Sequence, residues 1–117
     1  MLRKLFAHGL TGPSPINLDP SSAYQAISAG GACLVDVRER SEFAAGHPAG
    51  ALNVPLSTLP GALHRLPAGP LVLSCESGAR SRKAGKLALK AGRTDVHSIT
   101  GGYLAWDAAG LPTETGA

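Results

Sequence analysis

The stretch from Leu71 to Gly92 constrains the fold more than any other part of the chain. Leu71-Val-Leu-Ser74 is a short apolar run bounded by Pro70 and Cys75, which reads as a strand. After a compact loop, Ala84, Leu87, Ala88 and Ala91 recur at helical spacing and form one apolar stripe. Arg82, Lys86, Lys90 and Arg93 form the opposite, basic stripe, and Gly92 is placed to stop the helix. A strand that runs straight into an amphipathic helix is the repeating unit of a layered α/β fold.

The rest of the chain repeats that unit. Ile16-Asn17-Leu18 reads as a first short strand, and Asp19-Pro20 as a helix start with Asp as N-cap and Pro at the first helical position. Ala23, Ala26 and Ile27 share a face of that helix, and Gly30-Gly31 ends it. Cys33-Leu-Val-Asp-Val37 is a second strand without clean alternation, as expected of a strand covered on both faces. Ser41 is placed to cap a short helix through Ala45, and Ala51-Leu-Asn-Val54 reads as a third strand ended by Pro55. Leu59, Leu63 and Leu66 repeat at helical spacing across the next segment. Val96-His-Ser-Ile99 forms a last strand, and a short helix over Leu104 to Ala108 closes the chain. Strict alternation predicts a parallel sheet with helices on both faces and right-handed crossovers. In such sheets ligands bind beyond the carboxyl ends of the strands, and Cys75 stands at one of those ends.

Pro13, Ser14 and Pro15 divide the chain into a flexible segment, 1–14, and a single domain, 15–114. The start, Met1 to His8, lacks the long apolar stretch and cleavage site of a secretory signal. A mobile terminus is favoured there over a short targeting or membrane-touching segment. No apolar run approaches the ~20 residues that cross a bilayer, so a cytoplasmic protein with no membrane partner is expected. Net charge is +3, but Arg80 to Arg93 holds six basic residues and no acidic one. Such a face attracts anions, and an acidic protein partner on Arg82–Arg93 is one reading, a solvated helix surface the other. No aromatic residue interleaves with these charges, so no nucleic-acid partner is expected.

The loop Cys75-Glu-Ser-Gly-Ala-Arg80 joins the strand to the basic helix. A cysteine there faces successive backbone N–H groups and the positive end of a helix dipole, both of which favour a thiolate. Gly78 lets the loop curl into a cradle, and Arg80 adds a permanent charge. The result is a nucleophilic sulfur in an anion-binding cup. The same amides that hold a substrate anion can hold an anionic persulfide on Cys75, so neither metal nor organic cofactor is called for. The alternative, an inert buried cysteine, fits a Ser-Gly turn before a basic helix poorly.

Three separated motifs give this chain a family resemblance. They are Leu34 to Pro55 (Leu-Val-Asp-Val-Arg-Glu-Arg-Ser-Glu-Phe, then Gly-His-Pro-Ala-Gly-Ala-Leu-Asn-Val-Pro), the Cys75–Ser81 loop, and Gly101-Gly-Tyr-Leu-Ala-Trp106 followed by Gly110-Leu-Pro112. From about Ile16 to Pro112 the chain resembles the rhodanese domain. The resemblance implies a rhodanese-like three-layer α/β/α fold with a five-stranded parallel sheet. It also implies thiosulfate sulfurtransferase activity, from a small anionic sulfur donor such as thiosulfate to a thiophilic acceptor, cyanide or a cellular thiol. By position, Cys75 is the persulfide-forming residue, and Glu76, Ser77, Gly78, Ala79 and Arg80 complete a six-residue substrate-binding loop. Phosphatases and arsenate reductases of this fold have a loop one residue longer, so the shorter loop resembles the sulfur-transfer branch. A rhodanese-like interaction or carrier module with little turnover is the rival reading. Two positions depart from the family pattern. Glu76 puts a carboxylate beside the cup, where it opposes thiolate formation and anion binding. Pro48 replaces the usual aliphatic residue after Gly46-His47 and is expected to alter only local packing.

Asp36 and Arg38, at a strand end, either reach the active-site edge or form an ion-pair network, with Glu42 near enough to join Arg38; the network is favoured. His47 reads as a turn histidine bonded to backbone rather than a base. His8, His64 and His97 show no metal-ligand spacing, and Trp106 reads as a packing anchor. Cys33 reads as the start of a buried strand; a Cys33–Cys75 disulfide, which would silence the site, is the minority reading.

Overall fold

The structure, a computed structural model, describes residues 12–117. The expectations for Met1 to His8, and most of the segment 1–14 expected to be flexible, lie outside the described residues. In chain order the elements are β1 (Ile16–Leu18), α1 (Pro20–Ser28), β2 (Cys33–Asp36), α2 (Arg40–Ala45), β3 (His47–Pro48), β4 (Leu52–Asn53), β5 (Leu71–Ser74), α3 (Ala79–Lys90), β6 (Val96–Ile99), α4 (Gly102–Ala108) and β7 (Thr113–Glu114). Five of the strands form one parallel sheet in the order β1-β6-β5-β2-β4. β5 lies at its centre, paired through Leu73 with Val35 of β2 and with Ser98 of β6.

Side-chain alternation on the central strands splits the core into two layers. Leu71 and Leu73 face Val35, Leu59, Leu66, Ala84 and Ala88, beneath α3 and the leucine-rich turns. Val72 and Leu34 face Ala23, Phe43, Ile99 and Trp106, beneath α1, α2 and α4. Both sides of β5 are therefore dry, as its unbroken apolar run requires. Burying each such Val or Leu contributes roughly 1.5–3 kcal/mol against its exposed state.

Helix starts follow local chemistry. Asp19 caps α1, its carboxylate accepting the Ser22 N–H at 2.9 Å, and this bond holds the Asp19 pKa below its ordinary value. The cap of α2 differs from expectation. Ser41 lies inside the helix; Glu39 is the cap residue, and its N–H donates to Glu42 Oε1 at 3.0 Å. The Leu59, Leu63 and Leu66 repeat does not make an α-helix either. It forms part of two separate 3₁₀ turns and their flanks, Leu56–Thr58 and Leu63–Arg65. Pro60 and Gly61 interrupt the stretch, and Leu59, Ala62 and Leu66 are buried without a continuous helix. Ala91, expected in the apolar stripe of α3, is exposed just past its end; Ser81 and Gly85 join Ala84 and Ala88 on the buried face.

A small antiparallel pair, β3 with β7, has no counterpart in the sequence reading. It places Pro48 opposite Thr113, both on a two-residue strand, so the proline interrupts no long ladder. Trp106 is buried, donates to the Pro112 carbonyl at 2.7 Å and meets Tyr24 edge-on at 5.8 Å, the anchor role expected of it. No described helix is long and apolar enough to cross a membrane.

Candidate active site

β5 delivers Cys75 to the carboxyl end of the sheet, where the chain turns through Glu76, Ser77 and Gly78 into α3. Gly78 adopts φ +113°, a left-handed value that an L side chain would oppose, and the turn brings its N–H to 3.1 Å from Cys75 Sγ. The Cys75 thiol in turn donates to Ser81 Oγ at 3.5 Å. Cys75 is 1% exposed, so the sulfur lies at the floor of the loop rather than on its rim. The first N–H groups of α3 have no partners within the helix and carry its positive dipole end. The curled loop, the glycine and the helix start behind the sulfur are as the sequence implies.

What fixes the loop from below was not anticipated. The N-terminus of α4 donates Tyr103 N–H to the Cys75 carbonyl at 2.7 Å and Leu104 N–H to the Glu76 carbonyl at 3.2 Å. These bonds draw two loop carbonyls away from the sulfur. The approach is possible because residue 102 is glycine: it has φ +58°, and a Cβ there would lie 2.5 Å from the Cys75 oxygen. The Gly101-Gly102 pair was visible in the sequence as punctuation; its function as a clamp on a loop 26 residues away was not.

The charged residues sort into pairs. Arg38, only 3% exposed, binds Asp36 through Nε and Nη2, at 3.0 and 2.8 Å to Oδ2, and donates to the Gly46 carbonyl at 2.6 Å. Its guanidinium lies over the Tyr103 ring, 4.8 Å from the centroid. Burial opposes the charge on Arg38, but the hydrogen bonds and charge of Asp36, with help from Glu76 and Glu42, outweigh it and raise the arginine pKa. Asp36 and Arg38 therefore form the network that the sequence favoured. Glu42, expected beside Arg38, pairs instead with Arg80 in a two-pronged bridge of 2.7 and 2.9 Å. The bond to Arg80 holds the Glu42 carboxyl at about 2, and the same bond raises the pKa of Arg80. This correction has a topological cause: β2 and β5 are neighbours in the sheet, so the segments leaving their carboxyl ends meet.

Glu76 extends from the loop to Arg38 Nη1 at 3.2 Å and remains 44% exposed. Its carboxylate is thus partly neutralised beside the cup. Ser77 and Ala79 are exposed on the loop's outer side. His47 accepts the bland role foreseen for it, with Nδ1 2.6 Å from the Phe43 carbonyl, Nε2 3.2 Å from Glu114, and the ring stacked on Phe43 at 3.6 Å. The disulfide that the sequence disfavoured fails on geometry. Cys33 is in register with Leu71, four residues before Cys75, which puts the two roughly 13 Å apart along the strands. A disulfide needs α-carbons within about 7 Å, and both cysteines are free.

The basic helix face is smaller than the sequence suggested. Arg82 is drawn to the Asn17 side chain, and Arg93 donates to the carbonyls of Pro67 and Gly69. Lys83, Lys86 and Lys90 are the exposed cations that remain on α3.

With this geometry in view, comparison with known proteins is decisive on ancestry. The family model described as the rhodanese-like domain matches residues 19–109. The chain belongs to the rhodanese-like domain family. Among its relatives, Thiosulfate sulfurtransferase 16, chloroplastic, of Arabidopsis thaliana is 37% identical over 113 residues, covering 86% of this chain and 93% of the relative. Thiosulfate sulfurtransferase GlpE of Actinobacillus pleuropneumoniae is 29% identical over 99 residues, covering 84% and 92%. Among solved structures, a thiosulfate sulfurtransferase from Pseudomonas aeruginosa superposes with TM-score 0.79 at 33% identity, covering 89% of this chain but 20% of that longer one. A rhodanese-related protein from Thermoplasma volcanium gives TM-score 0.77 at 25% identity, covering 85% and 97%. The five-stranded rhodanese-like fold expected from the motifs is the fold observed.

Proposed function

We propose that this protein is a sulfurtransferase that carries sulfane sulfur as a persulfide on Cys75. The observation that supports this best is the position of Cys75 Sγ, at the carboxyl end of the central strand and 3.1 Å from the Gly78 N–H, inside a family whose relatives include thiosulfate sulfurtransferases. In the first half-reaction the Cys75 thiolate attacks the outer sulfur of a donor such as thiosulfate. A new S–S bond forms, the donor's S–S bond breaks, and sulfite leaves with the electron pair. In the second, cyanide or a cellular thiolate attacks the outer sulfur, and Cys75 leaves as thiolate. The amides of Ser77, Gly78, Ala79 and Arg80 line the anionic sulfur in this reading, and the Glu42 bridge orients the Arg80 side chain at the rim. The exposed face of Lys83, Lys86 and Lys90, continuous with Arg80 through a groove floored by Leu56, Leu59 and Leu87, suits an acidic protein that brings or takes sulfur. A cytoplasmic setting, where thiols stay reduced, completes the reading.

A second reading, a carrier or interaction module with little turnover, draws on two features. Cys75 is 1% exposed, and both Arg38 and Arg80 are already engaged by carboxylates. One experiment separates the two. Intact mass after incubation with thiosulfate reports a single added sulfur, and steady-state thiocyanate formation with cyanide reports turnover. Both signals are expected; sulfur loading without turnover would favour the carrier, and neither signal would overturn both.

A further inference from the structure

Behind Cys75 lies a pair of hydroxyls that the sulfur-transfer chemistry above does not use. Ser81, on the first turn of α3, and Ser98, on β6, are 0% and 1% exposed, and their oxygens are 2.7 Å apart. Burying a hydroxyl costs free energy unless it is hydrogen-bonded. Ser81 meets that requirement without Ser98, since it donates to the Gly78 carbonyl at 3.1 Å. Ser98 has, among the described residues, one side-chain hydrogen bond, and it goes to Ser81. A small apolar residue would fill the same place in β6. The Ser98 hydroxyl therefore serves Ser81, and Ser81 touches the sulfur.

We propose that Ser81 is a hydroxyl switch for Cys75, turning its O–H from the Gly78 carbonyl to the sulfur whenever that sulfur is anionic, with Ser98 as the positioning residue that holds Ser81 in reach. The protons balance in both states. In the thiol state Cys75 S–H donates to Ser81, Ser81 donates to Gly78, and Ser98 donates to Ser81. When the thiol proton leaves to solvent, Sγ becomes an acceptor only. Ser81 then rotates to donate to Sγ, while Ser98 still donates into the Ser81 oxygen and strengthens that bond. The Gly78 carbonyl is not orphaned, because it also accepts the Arg82 N–H at 3.2 Å. The thiolate ends with two donors, Gly78 N–H and Ser81 O–H, and bonds to a charged acceptor are about twice as strong as neutral ones.

For the proposed sulfur transfer, on which only the kinetic half of this inference rests, the switch acts unequally. In loading, Cys75 is the nucleophile; stabilising its thiolate raises the ionised fraction but lowers its intrinsic reactivity, and the two effects partly cancel. In discharge, Cys75 is the leaving group. Cyanide attacks the outer sulfur, thiocyanate forms, the Cys75 S–S bond breaks, and the electron pair stays on Sγ, to which the Ser81 O–H then donates. Losing the switch should slow discharge more than loading.

The test compares Ser98→Val with Ser98→Thr, two side chains of nearly equal shape that differ in the hydroxyl, in a Cys33→Ser background so that Cys75 is the sole thiol. Alkylation by neutral iodoacetamide is followed against pH, and discharge of the preloaded persulfide by cyanide is followed separately. The other titratable and charged groups around the sulfur are the same in every variant: Glu76 and Arg80 from the loop and α3, Asp36 and Arg38 after β2, Glu42 from α2, and Tyr103 from α4. His97, the titratable residue of β6, bonds the Leu71 carbonyl at the far end of the sheet. The pH midpoint of alkylation is expected to rise by roughly one unit in Ser98→Val, a tenfold slower alkylation below the midpoint, and to stay near the parent in Ser98→Thr. Discharge should slow more than loading in the Val variant alone. Equal midpoints in the folded Val and Thr variants would overturn the switch; if the Val variant does not fold, Ser98→Ala against the parent decides in the same way. Failure of the parent to load sulfur would overturn the proposed function, and the alkylation midpoints would still decide the switch.

Discussion

Cys33 and Cys75 stand at opposite ends of two neighbouring strands of one sheet, both without a disulfide partner, yet they meet opposite surroundings. Cys33 opens β2, at the amino end of the strands, where its own N–H is spent on the Pro70 carbonyl. The nearby Gly69 carbonyl and that of Pro67 draw in the Arg93 guanidinium. Cys75 follows β5, at the carboxyl end, where N–H groups converge: Gly78 on its sulfur, Tyr103 and Leu104 on the loop carbonyls. Every strand of the main sheet runs the same way, so one end gathers the helix N-termini and the other gathers carbonyls. The lesson is that residue type does not select the site. Strand polarity does, by deciding whether a sulfur meets donors or acceptors.

The sharpest way to break this contrast is to remove each sulfur in turn. Cys75→Ser is expected to abolish sulfur loading, read as loss of the added mass after thiosulfate, with the thermal unfolding midpoint little changed. Cys33→Ser is expected to load and turn over within about twofold of the parent, a difference of ~0.4 kcal/mol and inside the range of neutral substitutions. Loading that survives the first change, or is lost in the second, would reverse the assignment.

The next largest effect tests the donors below the loop. In Gly102→Ala the new methyl would sit 2.5 Å from the Cys75 carbonyl at a backbone angle of φ +58°. We expect a loss of about 1–3 kcal/mol in stability from the strained backbone. Loading per folded molecule should fall tenfold to a hundredfold as the loop is displaced. Unchanged loading kinetics in the folded variant would mean that the α4 clamp does not set the cup.

A smaller effect concerns the Glu42–Arg80 bridge at the Cys75 end of the sheet. The bridge lowers the Glu42 carboxyl from its ordinary 4.5 to about 2. A depressed carboxylate stabilises the fold fully above its unfolded value and loses that contribution as pH falls toward the folded one. The bridge should therefore contribute from pH ~5 upward and fade between about 4.5 and 2. Both side chains are about one-third exposed, at 37% and 36%, so screening limits the contribution to ~1 kcal/mol. Urea unfolding of the parent and Glu42→Gln at pH 3 and pH 7 should show the gap at pH 7 and a narrower one at pH 3; a gap independent of pH would remove the charge from the account.

The smallest effect is that of Glu76. Its pairing with Arg38 at 3.2 Å weakens the repulsion expected of a lone carboxylate beside the cup. Glu76→Gln should lower the Michaelis constant for thiosulfate by roughly twofold at low salt, within the ~0.2–1 kcal/mol of an exposed charge pair, and the gain should shrink as salt is raised. A loss of activity instead would show that the Arg38–Glu76 contact orients the loop.

The order of the helices and of the main-sheet strands, the buried character of β5, the Asp19 cap and the position of Cys75 before a glycine-bearing turn were all legible in the linear chain. Each depends on periodicity or on chemistry within a few residues, which local sequence states directly. The leucine repeat over 59–66 misled because spacing alone cannot register that Pro60 and Gly61 break the helix. The sequence also placed Glu42 beside Arg38, its near neighbour, whereas its partner is Arg80, 38 residues away. Ser98 carried no local signal, and Gly102 showed only as punctuation and part of a motif, with nothing local to link either to the sulfur. Their roles arise because the order β1-β6-β5-β2-β4 sets β6 and the start of α4 against the strand that bears Cys75. Local sequence thus determined which element carries the sulfur and which end of it is exposed to helix donors. Which side chains and amides surround that sulfur was decided only by tertiary packing, because hydrogen bonds and ion pairs form between whatever the sheet brings within about 3 Å, however far apart along the chain.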